Sequence, residues 1–161
     1  MSIMAFDPGK SGAVACINDD GSCPQVFDMP ADKAGIDPAR LFAICADLKC
    51  RDEALTHIII EDVHAMPGQG VTSMFSFGKS LGIILGVSGV LGYPIVMVRP
   101  QKWQKAFGIG KDTKGDSVST AARLFPSAEL YGPKGGAKDG RADALLLAEY
   151  GRRTLIVGSR V

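Results

Sequence analysis

Four acidic residues stand where a cation site would need them. Asp7 lies just ahead of a Pro-Gly turn, Glu61 closes a short apolar run, and Asp139 and Asp143 sit four residues apart. On a helix that spacing puts two carboxylates on one face, with β-carbons roughly 6 Å apart, so the pair can address one ion or two neighbouring ions. Hard divalent ions such as Mg²⁺ take oxygen ligands. Two of them roughly 4 Å apart stabilise the attacking and leaving oxygens of an in-line displacement at phosphorus. Without such ions, clustered carboxylates repel one another and raise their pKa values. Acids in this pattern are what metal-assisted phosphodiester hydrolysis requires.

Each acid also has a plain structural alternative. Asp7 ahead of Pro8-Gly9 can stabilise a turn, Asp139 can cap a helix, and Asp143 can be an exposed helix acid. Glu61 is different, because an unpaired carboxylate at the end of a buried apolar strand is expensive and calls for a ligand or a cation. Asp62 falls on the opposite side of that strand and stays outside the site.

Basic residues gather downstream. Between Arg99 and Lys114 there are five bases, with Lys102, Lys105 and Lys111 between, against the single acid Asp112. With Trp103 they mix charge and an aromatic in a pattern suited to phosphate contacts along a cleft, the alternative being a solvated face. Lys134, Lys138 and Arg141 crowd around Asp139 in a stretch containing Gly132, Pro133, Gly135 and Gly136. That composition predicts a flexible loop able to close over a polyanion. Lys10, in the turn after Asp7, is within reach of a phosphate too.

The elements that must position these groups follow from periodicity. Residues 2–8 and 12–17 are predicted as antiparallel strands around the Asp-Pro-Gly turn, with a third strand near residues 25–28. Asp37 ahead of Pro38 starts a helix that ends near Cys50. His57 to Glu61 is a short β-branched run and so a buried strand. Residues 71–92 form a long helical pattern in which Gly78, Gly82, Gly86 and Gly89 permit close packing against another backbone; so glycine-rich a helix needs tertiary contact for its stability. Ile95 to Val98 is a second short buried strand, followed by helices over 101–107, 114–125 and 139–152. Three strands as a meander, then strand and helix in alternation, imply an α/β fold with a mixed central sheet and helices on both faces.

At 161 residues and 46% hydrophobic content the sequence suits one domain, residues 1–161. It has no uninterrupted run of 18 apolar residues and no recognisable leader, so a cytoplasmic protein without membrane partners is expected. The four cysteines, Cys16, Cys23, Cys45 and Cys50, form no CxxC pair and are expected as free buried thiols. A net charge of +1 leaves the partner open, since the distribution of charge matters more than its sum.

The stretches Phe6-Asp7-Pro8-Gly9 with Gly12, Ile60-Glu61-Asp62-Val63, Ala142-Asp143-Ala144-Leu145, and Gly108-Ile109-Gly110 followed by Lys114 together resemble the RuvC family of Holliday-junction resolvases. That resemblance spans nearly the whole chain. It implies an RNase H-like fold and a homodimer that nicks branched DNA on opposite strands. It implies two Mg²⁺ or Mn²⁺ ions per site on Asp7, Glu61, Asp139 and Asp143, with Lys114 near the scissile phosphate, and no organic cofactor. A cation there would offset charge building on the phosphate. DNA contacts are expected from Lys10, His64, Phe75, Lys102, Lys105, Lys111, Lys114, Lys138 and Arg141.

Three positions depart from the family pattern. The two helix acids are four apart here rather than three. His64 stands where those proteins insert an aromatic at the junction, leaving Met74, Phe75 and Phe77 as wedge candidates or as core and dimer contacts. A family lysine ahead of the Gly-x-Gly turn lands near Trp103, with Lys102 or Lys105 to substitute. Other functions stay open: an RNase H-like nuclease for flaps, forks or RNA; a binder of branched DNA that does not cut; and an actin- or sugar-kinase-like nucleotide site built on Asp7-x-Gly9. The last lacks a second phosphate loop. A compact resolvase would suit a bacteriophage that debranches its DNA before packaging.

Overall fold

The computed structural model describes residues 1–49, 55–64, 68, 70–110 and 116–158. Five strands form one sheet in the order β3-β2-β1-β4-β5. The meander β1 (Ser2–Asp7), β2 (Ala13–Asn18) and β3 (Gln25–Asp28) is antiparallel, pairing Phe6 with Val14 and Val14 with Phe27. β4 (Leu55–Glu61) runs parallel to β1, with Phe6 opposite Ile60, and β5 (Ile95–Val98) runs parallel to β4, with Glu61 opposite Val98. The expected mixed sheet is therefore present.

Strand periodicity divides the core into two layers. Ile3, Ala5 and Ile59 face one side of the sheet; Met4, Phe6, Ile58 and Ile60 face the other. Against the first side pack α3 (Pro100–Ala106), α4 (Asp116–Leu124) and α5 (Asp139–Gly151), through Trp103, Val118, Ala121 and Leu145. Against the second pack α1 (Pro38–Lys49) and α2 (Val71–Leu91), through Leu41, Cys45, Ile84 and Val87. Helices thus cover both faces, as the element order implies. The start of α1 matches expectation in detail: the Asp37 carboxylate accepts the N–H groups of Ala39 (2.9 Å) and Arg40 (3.1 Å), with proline in the first helical position.

Several expectations need correction. β5 is half exposed rather than buried, with Ile95 and Met97 open, because it forms an edge of the sheet and β4 flanks it on one side. The glycines of α2 do not approach another backbone within the chain: a Cβ added at Gly78, Gly82, Gly86 or Gly89 would meet nothing within 4 Å. The helix is held from its other side, by Ser80, Ile84, Val87, Ser88 and Leu91. Although the sequence has no uninterrupted run of 18 apolar residues, α2 is long and apolar enough to cross a membrane by length and composition.

The segment 131–137 is not irregular. Tyr131 and Ala137 form a β-bridge, and the Gly132 N–H donates to the Gly136 carbonyl at 2.8 Å, closing a tight turn. The last helix ends one residue short of expectation and continues as a π-helical turn, Arg152–Val157. Cys16 and Cys45 are free and buried, whereas Cys23 is free but exposed on a turn. Cys50, the stretch 111–115 and hence the expected start of α4 lie outside the described residues.

Candidate active site

Asp7 and Glu61 are the last residues of two neighbouring parallel strands. Strand alternation puts Asp7 on the face of Ile3 and Ala5 and Glu61 on the face of Ile59, the side covered by α5. Asp143 reaches them from α5, one turn beyond Asp139, which lies exposed in the first turn of that helix. Two glycines permit this close approach. A side chain at Gly12 would strike the Asp7 carbonyl, and one at Gly140 would strike the Ser11 carbonyl and come within 3.1 Å of Asp7 Oδ2. The start of α5 is therefore seated directly on the β1–β2 turn.

The electrostatics are those of crowded, desolvated acids. Burial pushes the Asp7 carboxyl well above the usual carboxylate range, and the charges of Glu61 and Asp143 push it further. Glu61 is raised first by burial; a hydrogen bond from Trp103 opposes this and Asp143 adds to it. Asp143 is raised by burial, eased by a hydrogen bond from Ser117 and raised again by Asp139. Among the described residues no cation is paired with Asp7, Glu61 or Asp143, and Asp143 Oδ1 is buried with no hydrogen-bond partner.

A buried carboxylate oxygen without a partner is costly, and an all-oxygen acidic donor set suits Mg²⁺ or Mn²⁺. Among the described residues no three potential ligands converge on one coordination point. Mutual repulsion between uncompensated carboxylates favours separated rotamers. The donor chemistry and the orphaned oxygen fit a divalent-ion site shared by Asp7, Glu61 and Asp143, with Asp139 at its mouth.

The orienting groups are neutral. Trp103 Nε1 donates to Glu61 Oε1 at 2.8 Å, and Ser117 stands near enough to Asp143 to ease its charge. The sequence places Trp103 beside the bases of a cleft; the structure buries it, at 1% exposure, beneath Glu61. The donor role escapes sequence inspection because 42 residues separate the partners. The one available signal was that a buried indole N–H needs an acceptor.

The expected DNA-contact residues divide in two. Lys10, Lys138 and Asp139 line a cleft of about 380 Å³ beside the acids. Lys10 Nζ donates to the Lys33 carbonyl (3.1 Å). Lys138 and Arg141 both pair with Asp28, at 3.2 and 2.7 Å, and Arg141 also donates to the Glu129 carbonyl. Through this pairing Arg141 ties α5 to β3. On the other flank, His64, Asp62 and Arg99 line a hollow of about 350 Å³, where Asp62 contacts His64 (3.5 Å) and Arg99 (3.9 Å). Arg99 and Lys102 line an adjoining cavity of about 450 Å³, and Lys105 is exposed on α3. Phe75 is 76% exposed on α2, remote from the core positions expected of a packing aromatic. Lys111 and Lys114 lie outside the described residues.

No protein-family model matches the sequence, and no curated protein matches it in sequence. Solved structures match its fold. RuvC of Thermus thermophilus superposes with a TM-score of 0.64 at 17% identity, covering 96% of each chain. T. thermophilus RuvC in complex with a Holliday junction substrate gives 0.66 at 18% identity and the same coverage. Ydc2, the yeast mitochondrial Holliday junction resolvase, gives 0.52 at 14% identity over 94% of this chain and 77% of that one. The chain has the RNase H-like fold of these proteins.

Proposed function

We propose that residues 1–161 are a single nuclease domain, a divalent-metal-dependent endonuclease that resolves four-way DNA junctions. The observation that carries this is the trio Asp7, Glu61 and Asp143: half-buried, mutually repelling, uncompensated by any described cation, and holding a buried oxygen with no partner. A carboxylate cluster so costly to the apo fold is explained by the ions it would hold. Asp7, Glu61, Asp139 and Asp143 are the ligands, for two Mg²⁺ or Mn²⁺ ions. Such ions supply Lewis-acid activation of water and charge stabilisation at the leaving oxygen. The protein's own groups orient Glu61 through Trp103 and hold the strand on either side.

Cations flank the acids on two sides, Lys10 and Lys138 on one and Arg99, Lys102 and Lys105, beside His64, on the other. They suit a phosphate backbone drawn across the carboxyl ends of β1 and β4. Lys111 and Lys114 would add to this track, Lys114 offsetting charge at the scissile phosphate. Arg141 and Lys138, both paired with Asp28, hold the helix start in place at the edge of this track. A solved neighbour of the same fold holds a Holliday junction substrate, which supports branched DNA as the substrate.

A junction with two equivalent strands suits a homodimer, since a twofold protein matches a twofold substrate. The exposed glycine-rich face of α2, with Phe75 and Val90 open, supports contact with a second copy, where a backbone can approach closely. Its buried side seats α2 on the sheet, which favours a protein partner over lipid. The cytoplasm is the proposed compartment, the host's if a bacteriophage encodes the chain.

The deciding experiment is cleavage of a labelled four-way junction beside linear duplex, flap and RNA controls, in Mg²⁺, Mn²⁺ or EDTA. Paired symmetric nicks that need metal and vanish in Asp7→Asn are expected. Preference for flaps or RNA would keep the acid site and overturn the substrate. Junction binding without cutting would overturn the nuclease.

A further inference from the structure

Helix α3 is seven residues long, and the one side chain it buries is Trp103. That indole sits in the layer between the sheet and α5, so its ring is fixed by packing. Its N–H donates to Oε1 of Glu61 at 2.8 Å. Indole is a donor only and carries no charge. A lysine or arginine in its place would neutralise the carboxylate and compete with a divalent cation. A neutral donor fixes the group's orientation and leaves its charge for the metal.

We propose that Trp103 is a positioning residue for the metal site: it holds one oxygen of Glu61 through its indole N–H and leaves the other for the cation. This rests on the metal-dependent function proposed above. Groups that orient a ligand from behind it set metal affinity by roughly 10- to 100-fold in other metalloproteins, and a side chain locked by packing is the best placed to do so. A merely structural Trp103 would fill the core, with its hydrogen bond incidental to metal binding. The two roles separate experimentally because Trp103 is the sole tryptophan of the chain. Its emission reports on Glu61 directly.

The test uses the full chain. Mg²⁺ is titrated while indole emission is followed, and Mn²⁺ binding is measured by calorimetry for wild type and Trp103→Phe, which keeps an aromatic ring and removes the donor. The wild-type emission should shift as Mg²⁺ binds. Trp103→Phe should bind Mn²⁺ about tenfold more weakly, need correspondingly more Mn²⁺ for half-maximal cleavage, and approach the wild-type rate at saturation. Wild-type Mn²⁺ affinity in Trp103→Phe, or a wild-type indole silent to Mg²⁺ while calorimetry registers binding of that same Mg²⁺, overturns the proposal. Should Trp103→Phe fail to fold, the same Mn²⁺ calorimetry on Trp103→Tyr, which keeps a ring but moves the donor, decides in its place. A wild-type chain that binds no Mn²⁺ overturns the metal-dependent function itself, and the positioning role with it, so the two failures are told apart by one calorimetric trace.

Discussion

Helix α5 brings a carboxylate against the core near each of its ends, Asp143 half-buried and Glu149 buried, and the two surroundings differ in one respect. Glu149, 4% exposed, accepts from Arg152 (2.6 Å) and Arg153 (2.7 Å). Burial works against its charge, but the two guanidinium groups outweigh it and hold the carboxyl below its usual range. Arg152 also donates to the Asp19 carbonyl, so this cluster fastens the end of α5 to the β2–β3 turn. Asp143, two turns earlier, shares its environment with Asp7 and Glu61 and has only a serine for relief, and its pKa moves the other way. A fold that can compensate a buried acid at one end of a helix leaves three uncompensated at the other. Compensation marks a structural role, and its absence is what the proposed cation site requires.

Breaking the uncompensated end should abolish chemistry. Asp7→Asn is expected to lower junction cleavage roughly 10³-fold, the effect of losing several kcal/mol of transition-state stabilisation, measured under single-turnover conditions. The same substitution should raise the melting temperature of the metal-free protein, because it removes a repelling charge. A variant that is both inactive and less stable would contradict the comparison.

Breaking the compensated end should cost stability instead. Glu149→Ala strands two guanidinium groups, one of them largely buried, and is expected to destabilise by about 3 kcal/mol. That corresponds to a fall in Tm of roughly 6–12 °C for a chain of this size. The remaining folded protein should cleave at close to the wild-type rate below the transition.

Gly140→Ala tests the seating that joins the two regions. The added methyl would meet the Ser11 carbonyl and the Gly12 Cα, pushing the start of α5 away from Asp7. A loss of about 2 kcal/mol is expected from overpacking against backbone, together with weaker Mn²⁺ binding by calorimetry. Unchanged stability and affinity would mean that the turn yields freely.

Acidity distinguishes the ends with the smallest effect. Asp7 is raised in the fold, so the folded state holds its proton more tightly, and stability is lost as pH rises from 3.8 through the folded value. Glu149 is lowered, so its contribution is present above 4.5 and lost as pH falls through the folded value below it. In EDTA, Asp7→Asn should flatten the decline towards neutral pH and leave the acid limb unchanged, as followed by thermal melts. At neutral pH, Mg²⁺ at ten times its Kd should restore about 1.4 kcal/mol to the wild type and little to Asp7→Asn.

How much of this was legible beforehand can be judged from particular residues. Strand alternation around Asp7 and Glu61, the Asp37-Pro38 helix start and the four-residue spacing of Asp139 and Asp143 are local patterns. Backbone geometry repeats every two residues in a strand and every 3.6 in a helix, so the sequence by itself determined the elements and their order, and where along them the four acids fall. It did not determine which side chains meet across the fold. That Trp103 lies under Glu61, that Arg141 and Lys138 bind Asp28, and that β5 is an exposed edge depended on how distant elements pack. The turn at 131–137 is ordered by hydrogen bonds that composition does not reveal. Only the tertiary structure decided which buried carboxylate received a counter-charge, because desolvation and charge pairing depend on distance in space and not on separation along the chain.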